Sequence, residues 1–173
     1  RSEAMKPSRS FQAGVASAMA ALLTAGAQQV LAGQVDVNYL KADEYTDAGR
    51  GSDLERVEAA LTEHLRKLGA AMLPAQQSLS IDVLDIDLAG EIRPWRQVWP
   101  DVRVMRGNTD WPRISLRYTL RDGDKVLSTA AEPVADMSYL FGGRSWGLHQ
   151  GEKLFYEKRM LSRWFAQRFS GTP

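Results

Sequence analysis

The chain has 173 residues, 44% hydrophobic and 25% charged, with 14 Gly, 7 Pro and no Cys. That length suits one domain, and the hydrophobic share excludes a wholly disordered chain. The formal charge of +1 gives no sign of a polyanion-binding surface, and the lack of Cys excludes disulfides, thiol chemistry and Cys-ligated metals.

Lys6 and Arg9 form a short basic segment, followed by an alanine-rich run from Phe11 to Ala27 without a charge. Small residues then stand at Ala25-Gly26-Ala27 and Val30-Leu31-Ala32. This order predicts a secretory signal peptide over residues 1–32, cleaved between Ala27 and Ala32. The apolar run is short for a bilayer span, so no stable membrane insertion is expected after cleavage. Removing Arg1, Lys6, Arg9 and Glu3 with it leaves a net charge of −1, which gives no electrostatic pull toward nucleic acid. The expected domain is 33–173, and the expected compartment is the periplasm.

Val35 to Tyr39 alternates as a half-buried strand, and Tyr45 to Gly51 reads as a loop. Ser52-Asp53-Leu54-Glu55 matches a capping box. Leu54, Val57, Leu61, Leu65, Leu68 and Met72 form a helical stripe that Pro74 terminates. Leu79 to Leu88 is a strand with Leu84, Ile86 and Leu88 expected inward. The adjacent apolar Val83 and Leu84 shift its phase, by a bulge or by cover on both faces. Val102 to Met105 is another short strand, and Trp95, Trp99 and Trp111 lie in Pro-containing links, where they either cover one end of the sheet as core, the expected role, or cluster on the surface as an interface. Ile114, Leu116, Tyr118 and Leu120 alternate with polar residues up to Asp122-Gly123, a hairpin signal before Val126 and Leu127. Residues 142–151 hold four Gly, and Glu152 to Phe169 is helical, with Leu154, Leu161, Phe165 and Phe169 flanked by Met160 and Trp164. Lys158 falls inside that apolar arc, where it must snorkel or meet a carboxylate. The fold class expected is α+β: a single domain with a mostly antiparallel sheet of about five strands and two amphipathic helices on one face.

Tyr45-Thr46-Asp47-Ala48, Asp85-Ile86-Asp87-Leu88-Ala89-Gly90-Glu91 and Asp101-Val102-Arg103-Val104-Met105-Arg106 carry a resemblance, as do Trp111-Pro112-Arg113-Ile114, Asp136-Met137-Ser138-Tyr139 and Tyr156-Glu157-Lys158 leading into Met160-Leu161 and Trp164-Phe165. Together they resemble the bacterial domain-of-unknown-function family 3016. The resemblance implies secreted proteins, mostly of Gram-negative bacteria, with no assigned activity, cofactor or partner, and it transfers no catalytic residue.

Gly143-Arg144-Ser145-Trp146-Gly147 spells the nucleophile-elbow pattern, but the only later His is His149 and no acid intervenes. A Ser without a base held by an acid is a poor nucleophile. The same segment carries Arg144, Trp146 and His149, a cation, a large ring and an imidazole suited to gripping a ligand or partner. Asp85 and Asp87 share a strand face about 7 Å apart, with Glu91 beyond Gly90. They can bind a partner, hold a divalent cation, or join Arg103, Arg117 and Arg121 in a cross-strand ladder of about 0.2–1 kcal/mol per pair. The ladder is the expected role. His64 sits at the edge of the first helical stripe, the ordinary place for a boundary histidine.

The expectation is therefore a periplasmic binding or interaction domain with no catalytic activity and no cofactor. Its partner is an envelope protein or a small ligand, met at Arg144, Trp146 and His149 or at Asp85, Asp87 and Glu91. The alternative is a small hydrolase using Ser145 or a carboxylate-bound metal.

Overall fold

The computed structural model describes residues 33–92, 103–107, 109–141 and 152–170. The predicted signal segment, Trp95, Trp99 and the 142–151 segment with Arg144, Ser145, Trp146 and His149 lie outside them.

Strand β1 (Gln34–Tyr39) is followed by a 3-10 turn and the 21-residue helix α1 (Ser52–Met72). Strands β2 (Gln77–Asp87), β3 (Glu91–Ile92), β4 (Arg103–Val104), β5 (Arg113–Asp122) and β6 (Lys125–Ala135) precede α2 (Phe155–Phe169). The main sheet has the order β1-β2-β5-β6, and β3-β4 form a separate small sheet. All pairings are antiparallel except β1-β2, which is parallel. A parallel neighbour needs a crossover, and α1 supplies it, turning the first three elements into a βαβ unit. The architecture is α+β with both helices on one sheet face, as the two amphipathic stripes require. Among the described residues no helix is long and apolar enough to cross a membrane.

Leu79, Ile81, Val83, Ile114, Leu116, Tyr118 and Leu120 point into the core between sheet and helices. Leu61 and Leu65 meet them from α1, and Met160, Leu161, Trp164, Phe165 and Phe169 from α2. Tyr118 meets Trp164 and Phe169 edge-on at 5.8 and 5.3 Å between centroids, the arrangement ring quadrupoles favour. The β2 phase shift is a bulge. Register slips between Val83 and Asp85, so Leu84, expected inward, is turned out and 41% exposed, while Ile86 returns to the core.

One local expectation is corrected, and the hairpin expected at Asp122-Gly123 forms with its turn one residue later. Gly51, with φ +55°, caps α1, and its carbonyl accepts the Glu55 N–H at 3.1 Å as the first helical bond. That amide is not left for Ser52, so the capping box does not form. Pairing of β5 and β6 extends to Asp122 and Lys125, placing the hairpin turn at Gly123-Asp124 with positive φ at Gly123. Lys158 does meet a carboxylate, that of Glu152, at 3.1 Å.

Helix α1 lies on β1 through Gly69, where a Cβ would fall 2.1 Å from Val35 Cγ2. Gly69→Ala will therefore destabilise the domain in urea unfolding by about 1–3 kcal/mol, the cost of overpacking, rather than gain the roughly 1 kcal/mol of helix propensity. Val35→Ala should remove most of that penalty in the double variant, because the clashing methyl is gone.

Candidate functional site

The three acids Asp85, Asp87 and Glu91 sit at the end of β2 and the start of β3, and each is engaged separately. Asp85 accepts from the Thr46 N–H at 2.7 Å and the Thr46 hydroxyl at 2.9 Å. Asp87 pairs with Arg113 across the β2-β5 register. Glu91 stands 3.6 Å from Arg106, both well exposed. Among the described residues no group of three or more His, Asp or Glu is placed to hold a metal ion.

The expected ladder forms with different partners. Arg117 meets Asp82 at 2.7 Å, and Asn38 and Arg117 hold that carboxyl below the ordinary aspartate range. Arg113, not Arg103, reaches the outer acids, and Arg121 makes no ion pair among the described residues. Trp111 lies half-buried under the Arg113 guanidinium, 6.0 Å from its ring centroid.

Arg103 turns instead into the end of the sheet. Its Nε donates to the Ala89 carbonyl at 2.8 Å, and Nη2 donates to Gly90 at 2.7 Å and Leu88 at 3.2 Å. The same guanidinium pairs with Asp47. Asp47 in turn bridges to β2, donating its N–H to Ile86 and accepting from Leu88 N–H at 3.0 Å. One planar fork thus holds three successive carbonyls and a carboxylate, a geometry only arginine supplies. Gly90, at φ +74°, makes this possible, because a Cβ there would meet Met105 Sδ at 2.6 Å and the Val104 oxygen at 2.8 Å.

The Ala89 N–H donates at 2.8 Å to Glu157, a carboxylate 3% exposed in the first turn of α2. Burial pushes Glu157 up from the ordinary glutamate range. The Ala89 N–H and Arg103 act against that shift, and Asp47 adds to it. Next to this knot the Gly90 N–H reaches the Asp110 carbonyl at 2.9 Å. The Asp110 carboxylate gathers the N–H groups of Arg106 and Gly107 and the Tyr139 hydroxyl at 2.6, 2.8 and 2.9 Å. Burial alone would raise Asp110, but these donors outweigh it and hold the carboxyl low. Tyr139 moves the other way, to about 12, through burial and its bond to Asp110.

Buried Asp136 receives Arg159, Arg163 and the Ser138 N–H, and Arg159 also donates to the Tyr139 carbonyl. These contacts anchor the turn over 136–141, yet Met137 and Phe141 project from it, 66% and 81% exposed. The arrangement is a hydrogen-bonded polar base carrying two apolar side chains into solvent.

The family model described as "Protein of unknown function (DUF3016)" matches residues 33–167. The chain belongs to this family. No match was found among curated proteins or among solved structures. The match starts one residue before β1 and ends at residue 167, within α2, so it spans nearly all of the described elements. All six segments carrying the family resemblance meet in the Asp47–Arg103–Glu157 and Asp110–Asp136–Tyr139 networks, the 111–114 segment through the Pro112 carbonyl, which accepts from the Asp136 N–H at 3.2 Å.

His64 is a boundary histidine, with Nε2 2.9 Å from the Lys158 carbonyl and 2.8 Å from Ser162 Oγ. It ties α1 to α2, and burial lowers its pKa. Glu157, Asp110, Asp136 and Arg159 were not singled out as functional from sequence. A signal existed for Glu157: it follows Leu154 by three and precedes Leu161 by four, inside the apolar stripe.

Glu157 prefers its proton in the folded state more than in the unfolded one. Stability should therefore fall as pH rises above the ordinary glutamate range, and Glu157→Gln should flatten that slope. Urea unfolding of both proteins at pH 5 and pH 8 measures it. A slope equal in the two would contradict the burial of this carboxylate.

Proposed function

We propose that this DUF3016 protein is a periplasmic binding or interaction domain without catalytic activity, presenting Met137 and Phe141, which in sequence precede Arg144, Trp146 and His149. The supporting observation is the anchored 136–141 turn. Aromatic and Met side chains are enriched at interfaces, and this hydrogen-bonded turn holds one of each in solvent. The buried titratable groups at this end of the sheet grip backbone N–H groups, carbonyls or arginines, which is structural work. The export reading is supported by the basic, apolar, small-residue order of residues 1–32 and by the family unit beginning at residue 33.

The immobilised protein should retain an envelope protein or small ligand from periplasmic extract. The double variant Met137→Ser/Phe141→Ser should lose that capture, and so should Arg144→Ala/Trp146→Ala. Melting of the first variant should stay within about 0.5 kcal/mol of wild type, as exposed substitutions do. Capture undiminished in both variants would contradict the proposal.

A further inference from the structure

Among the described residues strand β1 is an edge of the sheet, paired with β2 on one side only. In a parallel pair, the N–H and C=O of alternate residues point together toward the partner or away from it. The Leu40 N–H donates to Val83, so the even-numbered residues face β2. The Val35 carbonyl points the other way and accepts from Arg66 Nε at 3.4 Å. Alternation then turns the N–H and C=O of Val37 and Tyr39 outward as well. No partner for these four groups occurs among the described residues, and the two residues are only half-buried.

Beside this edge runs an open groove of about 700 Å³ between Tyr39 and the outer flank of α1, floored by Ala59, Thr62 and Ala70. Tyr39 is fixed there, its hydroxyl donating to the Glu58 carbonyl at 2.8 Å and meeting Thr62 Oγ1 at 3.0 Å. The groove is polarised. Glu55 and Glu58 stand at the Tyr39 end without a cationic partner among the described residues, and Arg66 and Lys67 stand toward the Val35 end. Lys67 is paired with Glu63 at 2.6 Å, while Arg66 makes no ion pair among the described residues. Burial and the neighbouring Glu55 raise the Glu58 pKa, as expected of uncompensated acids.

We propose that the outer edge of β1 and the groove beside it receive an extended polypeptide segment, which adds antiparallel to β1 with a basic residue at the Tyr39 end and an acidic residue at the Val35 end. Its main chain bonds to Val37 and Tyr39, and alternate side chains, small or apolar, rest on Ala59 and Ala70. Strand addition needs these two parts: unpaired ladder groups for affinity and a flanking surface for side-chain choice. Charge complementarity sets which end of the segment is basic, because swapping its end charges puts acid against Glu55 and Glu58, and the antiparallel direction follows from the greater stability of that pairing per residue. The surface is separate from Met137 and Phe141, so this proposal goes beyond the reading above.

The test uses the full chain, ¹⁵N-labelled, titrated with the peptide acetyl-Lys-Thr-Val-Thr-Val-Glu-amide. The Val37 and Tyr39 amides should shift and gain protection from hydrogen exchange. The charge-reversed peptide Glu-Thr-Val-Thr-Val-Lys should bind about tenfold more weakly, the size of two exposed ion pairs. N-methylation of the peptide at alternate residues should cost about tenfold, through lost main-chain bonds. Ala59→Gln/Ala70→Gln, at exposed helix positions, fills the groove without touching the core and should likewise abolish the shifts. Phe141→Ser should leave them intact, which separates failure here from failure of the Met137/Phe141 site. Unchanged Val37 and Tyr39 amides at millimolar peptide would overturn the proposal. So would the same shifts appearing with protein concentration alone, since the occupant would then be a second copy.

Discussion

The guanidinium of Arg103 is the constraint on which one whole end of the molecule depends. The turn from β2 into β3 leaves the carbonyls of Leu88, Ala89 and Gly90 converging on one point, where water is largely displaced. Unpaired, those oxygens would each cost on the order of 1–3 kcal/mol. Arg103 satisfies all three and draws in Asp47, which locks the 45–48 segment alongside β2. On the other side of the same turn, the Ala89 N–H is taken by Glu157, so the start of α2 is fixed by the same peptide units. Strand end, loop, small sheet and helix therefore share one hydrogen-bonded knot.

That knot shapes the surface around it. The Asp110–Tyr139 and Asp136–Arg159–Arg163 contacts continue it outward and hold the 136–141 turn firmly enough to carry two apolar side chains into solvent. The two sheet faces divide the remaining work. One is packed under α1 and α2 and excludes water through Ile81, Leu116, Phe165 and their neighbours. The other carries Asp82, Asp87, Arg113 and Arg117 as cross-strand pairs, which are worth little individually but keep that face wet and discourage sheet-on-sheet association.

The elements were largely legible in the sequence because their signal is local. The stripes of Leu54 to Met72 and Leu154 to Phe169, the alternation from Ile114 to Leu120 and the phase shift at Val83 each state which side of an element meets the core. Alternation names a face but not a neighbour, so the parallel placement of β1 beside β2 and the destination of Arg103 were not readable. Both depend on contacts across long stretches of chain. Arg103 looks like any polar strand residue until the turn at Gly90 wraps around it. Glu157 was obscured differently: a carboxylate in a helical stripe reads as a boundary residue until the Ala89 amide is seen opposite. Leu84 shows the limit of phase arguments, since the position of a bulge decides on which side the odd residue emerges.

The central claim is that Arg103 organises this end by satisfying backbone oxygens, rather than as one more surface charge. Urea unfolding of Arg103→Met tests it most directly, because Met keeps much of the length and loses every donor. The account predicts a loss of about 3 kcal/mol or more, from three buried backbone oxygens left at about 1 kcal/mol or more each, with hydrogen exchange accelerating at Ala89 and Gly90. A loss below about 1 kcal/mol, the size of an exposed ion pair, with those two amides still protected, would contradict it.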